Sequence, residues 1–405
     1  MTRPLPHWRA LLADWRAQAA ALLAVVALLL LTLVEAEASA QRPIGNDFLA
    51  YLTASRALLA GSDPYLTSSH FSYVYPLLLA LLLIPLALLP TWLAVGLWYA
   101  INVAAMVAAS LLAIRLALPP TPGAAEAGVG VRRLIVPLCL VFFLMFGVIQ
   151  NNLRNGQVNF VIALLCVLFY RSFLAGRTAA AGLFLALAIA LKVAPVFLLL
   201  ALLRRARWRA FALTLILAAA LCLLPAVLAG GRILDLYHGY FGSVLFPTKG
   251  TAISWTGTFF TLHGFLAYLW PQAEGIALQL LATVAVIGAA LLLDRQARVE
   301  VVPANGFWVL AVYLCAMLLL TPWSQKHHLA LLVPVVAVVT AGSLLDTLHL
   351  SACQRTAAAA FLTFFYLGKL VPTGPFFFLA VVAIGTLVAL VIRANSEAPP
   401  RWPVA

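Results

Sequence analysis

Twelve apolar runs divide this chain, the first at residues 17–34 and the others near 73–89, 92–116, 134–149, 158–174, 178–202, 208–229, 275–293, 305–320, 328–347, 356–371 and 376–393. Inside lipid a backbone must satisfy its own N–H and C=O groups, and a helix of about 20 apolar residues does so while crossing. The pattern therefore predicts an all-α integral membrane protein of about twelve transmembrane helices, with 1–405 forming a single polytopic domain. Charged residues make up 9% of the sequence, against about 25% in soluble domains, which excludes an ordinary soluble fold. Several of the runs are short for a full crossing.

The formal net charge of +13 would suggest nucleic acid in a soluble protein. Here Lys and Arg sit at the ends of apolar runs, where anionic headgroups and the positive charge of cytoplasmic loops account for them, so membrane lipids and not nucleic acid are the expected partners. Arg3, His7, Arg9 and Arg16 precede the first run, which places the N-terminus in the cytoplasm and the loop 35–72 outside. Ala38-Ser39-Ala40 also resembles a signal-peptide cleavage site; cleaved or retained as an anchor, the segment delivers the loop to the same face. Twelve crossings return the C-terminus to the cytoplasm and put Arg204, Arg205, Arg207, Arg209, Arg295, Arg298 and Arg355 inside. The same count puts Arg132, Arg133, Arg171 and Arg177 outside, against the rule, so one or two runs between 73 and 203 are expected to be re-entrant hairpins. A second outer loop, 230–270, is rich in aromatic residues, among them Tyr237, Tyr240, Phe241, Phe246 and Trp255. They suit an interfacial belt or a roof over a lipid-linked substrate.

The loop 35–72 holds the most suggestive polar segment. Asn46 is placed to cap a short amphipathic helix carrying Phe48, Leu52, Leu58 and Leu59, which Gly61 ends before Ser62-Asp63-Pro64 turns the chain. Asp47 falls in its first turn. Of the 12 carboxylates, the predicted topology places Asp14, Asp294, Glu300, Asp346 and Glu397 near the cytoplasm. Glu35, Glu37, Asp47, Asp63, Asp235 and Glu274 remain outside, with Glu126 in the stretch of open topology. Glu35 and Glu37 follow a span end as solvated charges do and Asp63 is a turn residue, and Asp47 is the best candidate for a general base, a carboxylate stabilising a helix N-terminus being the plainer role, compatible with the first. The sequence has no D-x-D pair to hold a metal-bound nucleotide sugar. The five cysteines show no C-x-x-C spacing and read as packing residues. Neither metal nor cofactor is expected.

Asp47-Phe48, Tyr51, Gly61 and Asp63-Pro64-Tyr65 resemble the first-loop signature of glycosyltransferase family 87, membrane mannosyltransferases of the GT-C superfamily. The resemblance implies a multi-span GT-C bundle in the bacterial inner membrane with its active site on the outer face. It implies transfer of a hexose, mannose foremost, from a polyprenyl-phosphate-sugar donor to a glycolipid or glycan acceptor, with inversion and with Asp47 as the base. Tyr51 and Tyr65 carry over as substrate contacts.

A polyprenyl phosphate leaving group calls for positive charge, and Arg56, Arg154, Lys192, Arg232, Lys249 and Lys326 are the candidate cations, with His327 and His328 as further donors. Lys192 lies inside an apolar run, where a charge is costly and marks a functional site unless it snorkels to the surface; Pro195 after it frees a carbonyl and opens the helix. Lys192-Val193-Ala194-Pro195 loosely matches a family Lys-Pro motif. Asn155-Gly156-Gln157-Val158-Asn159 resembles another, whose amides Asn155, Gln157 and Asn159 cap the next helix or bind sugar hydroxyls. Thr321-Pro322-Trp323-Ser324-Gln325-Lys326-His327-His328 matches the family's histidine-containing C-terminal turn, from which one His is carried over as a substrate contact. Ser254-Trp255-Thr256-Gly257-Thr258 departs from the family's pattern, which bears on the acceptor. The rival class is a transporter or flippase for lipid-linked sugars, which the Lys192-Pro195 break would suit.

Overall fold

The computed structural model describes residues 14–118, 131–245, 261–270, 276–302, 305–321, 324–345, 347–371 and 375–397, and its architecture is helical throughout. Five segments are long and apolar enough to cross a membrane: α1 (Trp15–Ala40), α3 (Thr91–Ala117) and the segments Trp208–Tyr240, Lys326–Leu344 and Phe376–Glu397. The chain is a membrane protein. Between α1 and α3 lies α2 (Asp47–Leu59). After α3 come α4 (Val131–Leu144) and α5 (Phe146–Arg154), two halves of one apolar stretch bent by 75°, then α6 (Asn159–Leu174) and α7 (Thr178–Leu191). The segment from Trp208 opens with α8 (Trp208–Leu223) and is followed by α9 (Ile276–Gln296) and α10 (Asn305–Leu320). The chain ends in α11 (Val333–Leu344), α12 (Ala352–Leu370) and α13 (Phe376–Glu397).

α10 is the centre of the bundle. Its residues from Asn305 to Leu318 are all buried, as expected of a helix that is apolar all round. The other helices wrap it or each other, with α3 against α6 and α11, α7 against α6 and α8, and α12 against α13. At one end Arg205 pairs with the fully buried Asp294 and with Glu300 at 2.7 Å, while Tyr313 of α10 donates to Asp294 at 2.9 Å. That ion pair ties three elements together. Breaking such a pair leaves an uncompensated buried charge, which typically costs about 3–5 kcal/mol.

Two expected crossings are corrected. The run 73–89 holds only the short helices Leu77–Leu82 and Ile84–Ala87, broken at Leu83 beside Pro85. Ten helical residues reach about 15 Å, half a bilayer core, and both pieces pack beneath α2. The run 178–202 goes the other way and is two helices. α7 stops at Lys192, which is extended (φ −155°, ψ 122°), and the chain resumes as a 3-10 turn, Ala194–Leu198, and a short helix, Leu199–Arg204. Pro195 has no N–H to give the carbonyl of Leu191 four residues back, and it stands in the first turn of the new helix, where none is needed, so the break is local chemistry. The turns at either foot of this hairpin line one cavity, with Gly176 and Thr178 from one and Arg207 and Arg209 from the other. Arg171 and Arg177, predicted to lie opposite Arg204–Arg209, thus share an end with them, and Lys192 is the hairpin's tip.

The second loop is helical as far as Tyr240, while Phe246, Lys249 and Ser254–Thr258 lie outside the described residues. Trp323 does too. The exposed Ser62 follows α2, the helix that carries Asp47, and the exposed Ala175 lies at the foot of the hairpin, away from its Lys192 tip. With the exposed Cys353 replaced by serine, Ser62→Cys should react in intact cells with an impermeant thiol reagent and Ala175→Cys only after permeabilisation. Labelling of both from outside would contradict this orientation.

Candidate active site

The site begins with a turn that only glycine fits. α5 ends through Asn155 into Gly156, whose φ is +63°, with Gly156 N–H donating to Leu153 O at 3.0 Å and Gln157 N–H to Asn152 O at 2.9 Å. This is the left-handed helix ending that glycine favours. A Cβ on Gly156 would lie 2.4 Å from Phe48 Cβ, so the missing side chain is also what lets α2 approach. Three contacts dock α2 on the turn: Asn46 Nδ2 donates to Arg154 O at 3.1 Å, Phe48 N–H to Asn155 O at 3.1 Å, and Phe48 stacks on Trp98 with ring centroids 5.7 Å apart. Trp98 Nε1 in turn donates to Gly156 O at 2.7 Å. Asn46 also caps α2 as the sequence suggests, accepting from Leu49 N–H at 3.0 Å.

Docked this way, α2 brings Asp47 against Gln157, whose Nε2 donates to Asp47 Oδ2 at 2.6 Å. The other end of the same amide is pinned, because Gln157 Oε1 accepts from Tyr75 at 2.8 Å and from Tyr51 at 3.2 Å. Two phenols on the carbonyl leave the amide one orientation, with its N–H groups toward the carboxylate. Burial raises the Asp47 pKa, and the Gln157 hydrogen bond and the nearby Lys192 charge oppose the rise. A hydrogen bond to a charged group is worth about 1.5–3 kcal/mol, so Gln157 is a principal support of the ionised form.

The hairpin tip reaches the same place. Lys192 Nζ donates to Asn159 Oδ1 at 2.7 Å and lies 5.4 Å from the Tyr75 ring centroid. Asn159 Nδ2 donates to Asn152 Oδ1 at 3.0 Å and to His327 O at 3.2 Å, so one amide joins the hairpin, the α5–α6 turn and the histidine segment. The two histidines differ. His328 Nδ1 accepts from Gln325 N–H at 2.9 Å, which makes it a helix cap. The His327 ring meets His328 edge-on at 4.4 Å, and no hydrogen bond engages it among the described residues. No group of three or more metal-ligating side chains occurs among those residues either.

Asp47, Tyr51, Gln157, Asn159, Lys192, His327 and His328 are thus assembled at one end of the bundle. The other expected contacts stand apart. Arg56 is turned away, its Nε donating to Ala87 O at 2.9 Å. The Asn155 side chain bonds back to Asn151 O at 2.9 Å, so that residue serves by its carbonyl. Tyr65 forms an outer layer, donating to Tyr75 O at 3.1 Å and packing on Tyr73 and Tyr240. Lys326 lies within electrostatic range of Arg154 and Lys369, and no hydrogen bond among the described residues joins its side chain to the network. The sequence did not reveal Tyr75, Asn152 or Trp98. Tyr75 was the hardest to see, because Tyr73-Val74-Tyr75-Pro76 opens a run counted as a span; two tyrosines ahead of a proline were the available sign of a polar, non-crossing segment.

The model of glycosyltransferase family 87 matches residues 73–322. The chain belongs to this family. The matched stretch contains Gln157, Asn159 and Lys192, while Asp47 and His327 lie on either side of it. No curated protein matches the chain. Among solved structures it is similar to ArnT from Cupriavidus metallidurans in the apo state, with 13% identity and a TM-score of 0.48 over 93% of this chain and 76% of that one. It is also similar to the same protein bound to undecaprenyl phosphate, with 14% identity and a TM-score of 0.46 over 93% and 77%.

For this family 87 chain the Gln157–Asp47 bond makes a pH-dependent claim. If Asp47 acts as a base it must be ionised, and Gln157 favours the ionised form. Gln157→Leu removes that support, so the Asp47 pKa rises and the acidic limb of a kcat/KM profile should move to higher pH. A limb that stays in place, in a variant that folds, would show that Asp47 does not control it.

Proposed function

We propose that the chain transfers a hexose, mannose foremost, from a polyprenyl-phosphate donor to a hydroxyl of a lipid-linked or glycan acceptor, inverting the anomeric centre, on the outer face of a bacterial inner membrane. The observation that supports this most is the convergence of a carboxylate and a cation, Asp47 and Lys192, on one amide network that also holds the His327 backbone carbonyl.

Asp47 Oδ2 is occupied by Gln157, and among the described residues nothing bonds Oδ1, which is free to accept the proton of the acceptor hydroxyl. As that proton leaves, the hydroxyl oxygen attacks the anomeric carbon from the face opposite the carrier. The bond from the anomeric carbon to the phosphate oxygen breaks, and its electron pair stays on the phosphate. Charge grows there, and a fixed cation lowers the barrier by meeting it. Lys192 spends one N–H on Asn159, leaving two for a phosphate, and the His327 ring provides a further donor. Tyr65, half-buried over the fully buried Tyr51 and Tyr73, is the aromatic side chain of this cluster that a sugar ring can meet.

On this orientation the path crosses the bilayer about twelve times. In this reading the run 73–89 stays on the outer side, while the hairpin from Thr178 to Arg204 passes from the basic turns to Lys192 and back. Arg115, Arg133, Arg171, Arg177 and Arg204–Arg209 then all face the cytoplasm, as the positive-inside rule requires. A carrier for the same lipids would use the break at Lys192; here Lys192 is committed to the Asp47 network.

Asp47→Asn should insert and fold normally yet lose about 10²-fold or more in turnover with polyprenyl-phosphate mannose, the scale for a lost general base. The exposed Asp235 is the control, and Asp235→Asn should act mildly. Wild-type turnover in Asp47→Asn would remove Asp47 from the chemistry.

Donors to the leaving phosphate are tested separately. His327→Ala should lower turnover by about 10²–10³-fold, and Lys192→Met should weaken donor use while sparing acceptor binding. Full transfer activity in both, with lipid-linked sugar still crossing proteoliposome membranes, would favour the carrier.

A further inference from the structure

At the end of the bundle away from Asp47, a cavity of about 410 Å³ opens between two helix turns. Phe173, Gly176 and Thr178 line it from the turn that joins α6 to α7, and Arg207, Trp208 and Arg209 from the turn that opens α8. The turns are built alike. In the first, Arg177 N–H donates to Ser172 O at 2.9 Å around Gly176 at φ +68°; in the second, Arg207 N–H donates to Leu202 O at 2.9 Å around Ala206 at φ +51°. Alanine pays a steric cost in that region which glycine does not. Position 206 nevertheless holds it, so the backbone presenting Arg207 and Arg209 is held in place against strain.

The charge around the cavity is unbalanced. Arg171, Arg177, Arg204, Arg205, Arg207 and Arg209 stand in these two turns. Arg205 alone is neutralised, by Asp294 and Glu300, and its guanidinium lies 6.0 Å from the Phe173 ring in the cavity wall. No carboxylate pairs with the other five among the described residues, and all five are exposed. Arginines gathered without an acidic partner repel one another, and an anion removes that repulsion while taking their forked hydrogen bonds. Basic pockets between helix ends on the cytoplasmic side suit phosphorylated lipid headgroups.

The surroundings are those of an amphipathic ligand. Trp208, 61% exposed at the rim, is the residue type that settles at the headgroup level. Leu183 of α7 and Leu215 and Ile216 of α8, the helices that rise from the cavity, are exposed apolar side chains. They offer acyl chains a surface once the headgroup is seated. We propose that this cavity is a binding site for the phosphodiester headgroup of an anionic phospholipid, held by Arg207 and Arg209 and bounded by Trp208. The site is separate from the Asp47 network and does not depend on the transfer reaction.

The full-length protein, reconstituted in nanodiscs of phosphatidylglycerol and phosphatidylcholine and released for native mass spectrometry, should retain phosphatidylglycerol selectively. Its thermal midpoint should be higher than in phosphatidylcholine alone. The double variant Arg207→Gln/Arg209→Gln should lower retention by about tenfold or more, since each basic residue near the headgroups contributes about 1 kcal/mol. Arg207→Lys/Arg209→Lys, which keeps the charge, should retain more lipid than the Gln pair and reports whether the turn folds. Inorganic phosphate at matched concentration should not reproduce the thermal shift. Equal retention by wild type and the Gln pair would overturn the proposal. So would an equal loss in Arg295→Gln, which removes a basic residue outside the cavity, or full protection by inorganic phosphate alone.

Discussion

The close approach of α2 to the turn at Gly156 is the contact on which the site depends. α2 rests on the short helices of 73–89, but one methyl group at position 156 would hold its N-terminal turn off, because the Cβ would occupy space already filled by Phe48. With hydrogen there instead, the Asn155 carbonyl takes the Phe48 N–H and the Arg154 carbonyl takes Asn46. Trp98 fills the flank. An aromatic stack adds about 0.5–1.5 kcal/mol beyond its buried area, and with the two hydrogen bonds it sets the position of the turn whose first side chain is the carboxylate.

From there, every polar group in the cluster is held by another. Gln157 can support Asp47 only because Tyr51 and Tyr75 occupy its carbonyl, and Asn159 can hold Lys192 only because its own N–H groups are spent on Asn152 and the His327 carbonyl. Partly satisfied polar networks in a membrane bundle are expensive. This one spends nearly all its capacity internally and leaves over Asp47 Oδ1, two protons of Lys192 and the His327 ring, the groups that the proposed transfer uses.

Local chemistry was legible in the sequence, and paths through space were not. Asn46 before Asp47 announces a capped helix because capping is a matter of neighbours, and Lys192 followed by Pro195 announces a break for the same reason. Hydropathy, however, measures how apolar a stretch is and not which way it runs. It could not separate one crossing from two short helices at 178–202, nor a span from two buried fragments at 73–89. The misplaced arginines carried the missing information, since a wrong sign of charge outside is a topological error made visible. His327 and His328 were indistinguishable as letters; their roles separate only when Gln325 N–H is seen to choose one ring. Arg56 and Lys326 were chosen for their charge, and charge alone does not say which way a side chain leaves its helix.

The hairpin that carries Lys192 also works as a ruler. Its two feet rest in the basic turns and its tip must meet Asn159, so α7 has one permissible length. Each residue inserted between Thr178 and Leu191 would advance the tip by about 1.5 Å and rotate it by about 100°, turning the ammonium from the carboxylate toward lipid. Side-chain packing narrows the arm as well, since Ala181, Leu185, Ala186, Ala188 and Ala190 are fully buried, so neither its length nor the size of its inward-facing residues is free to change.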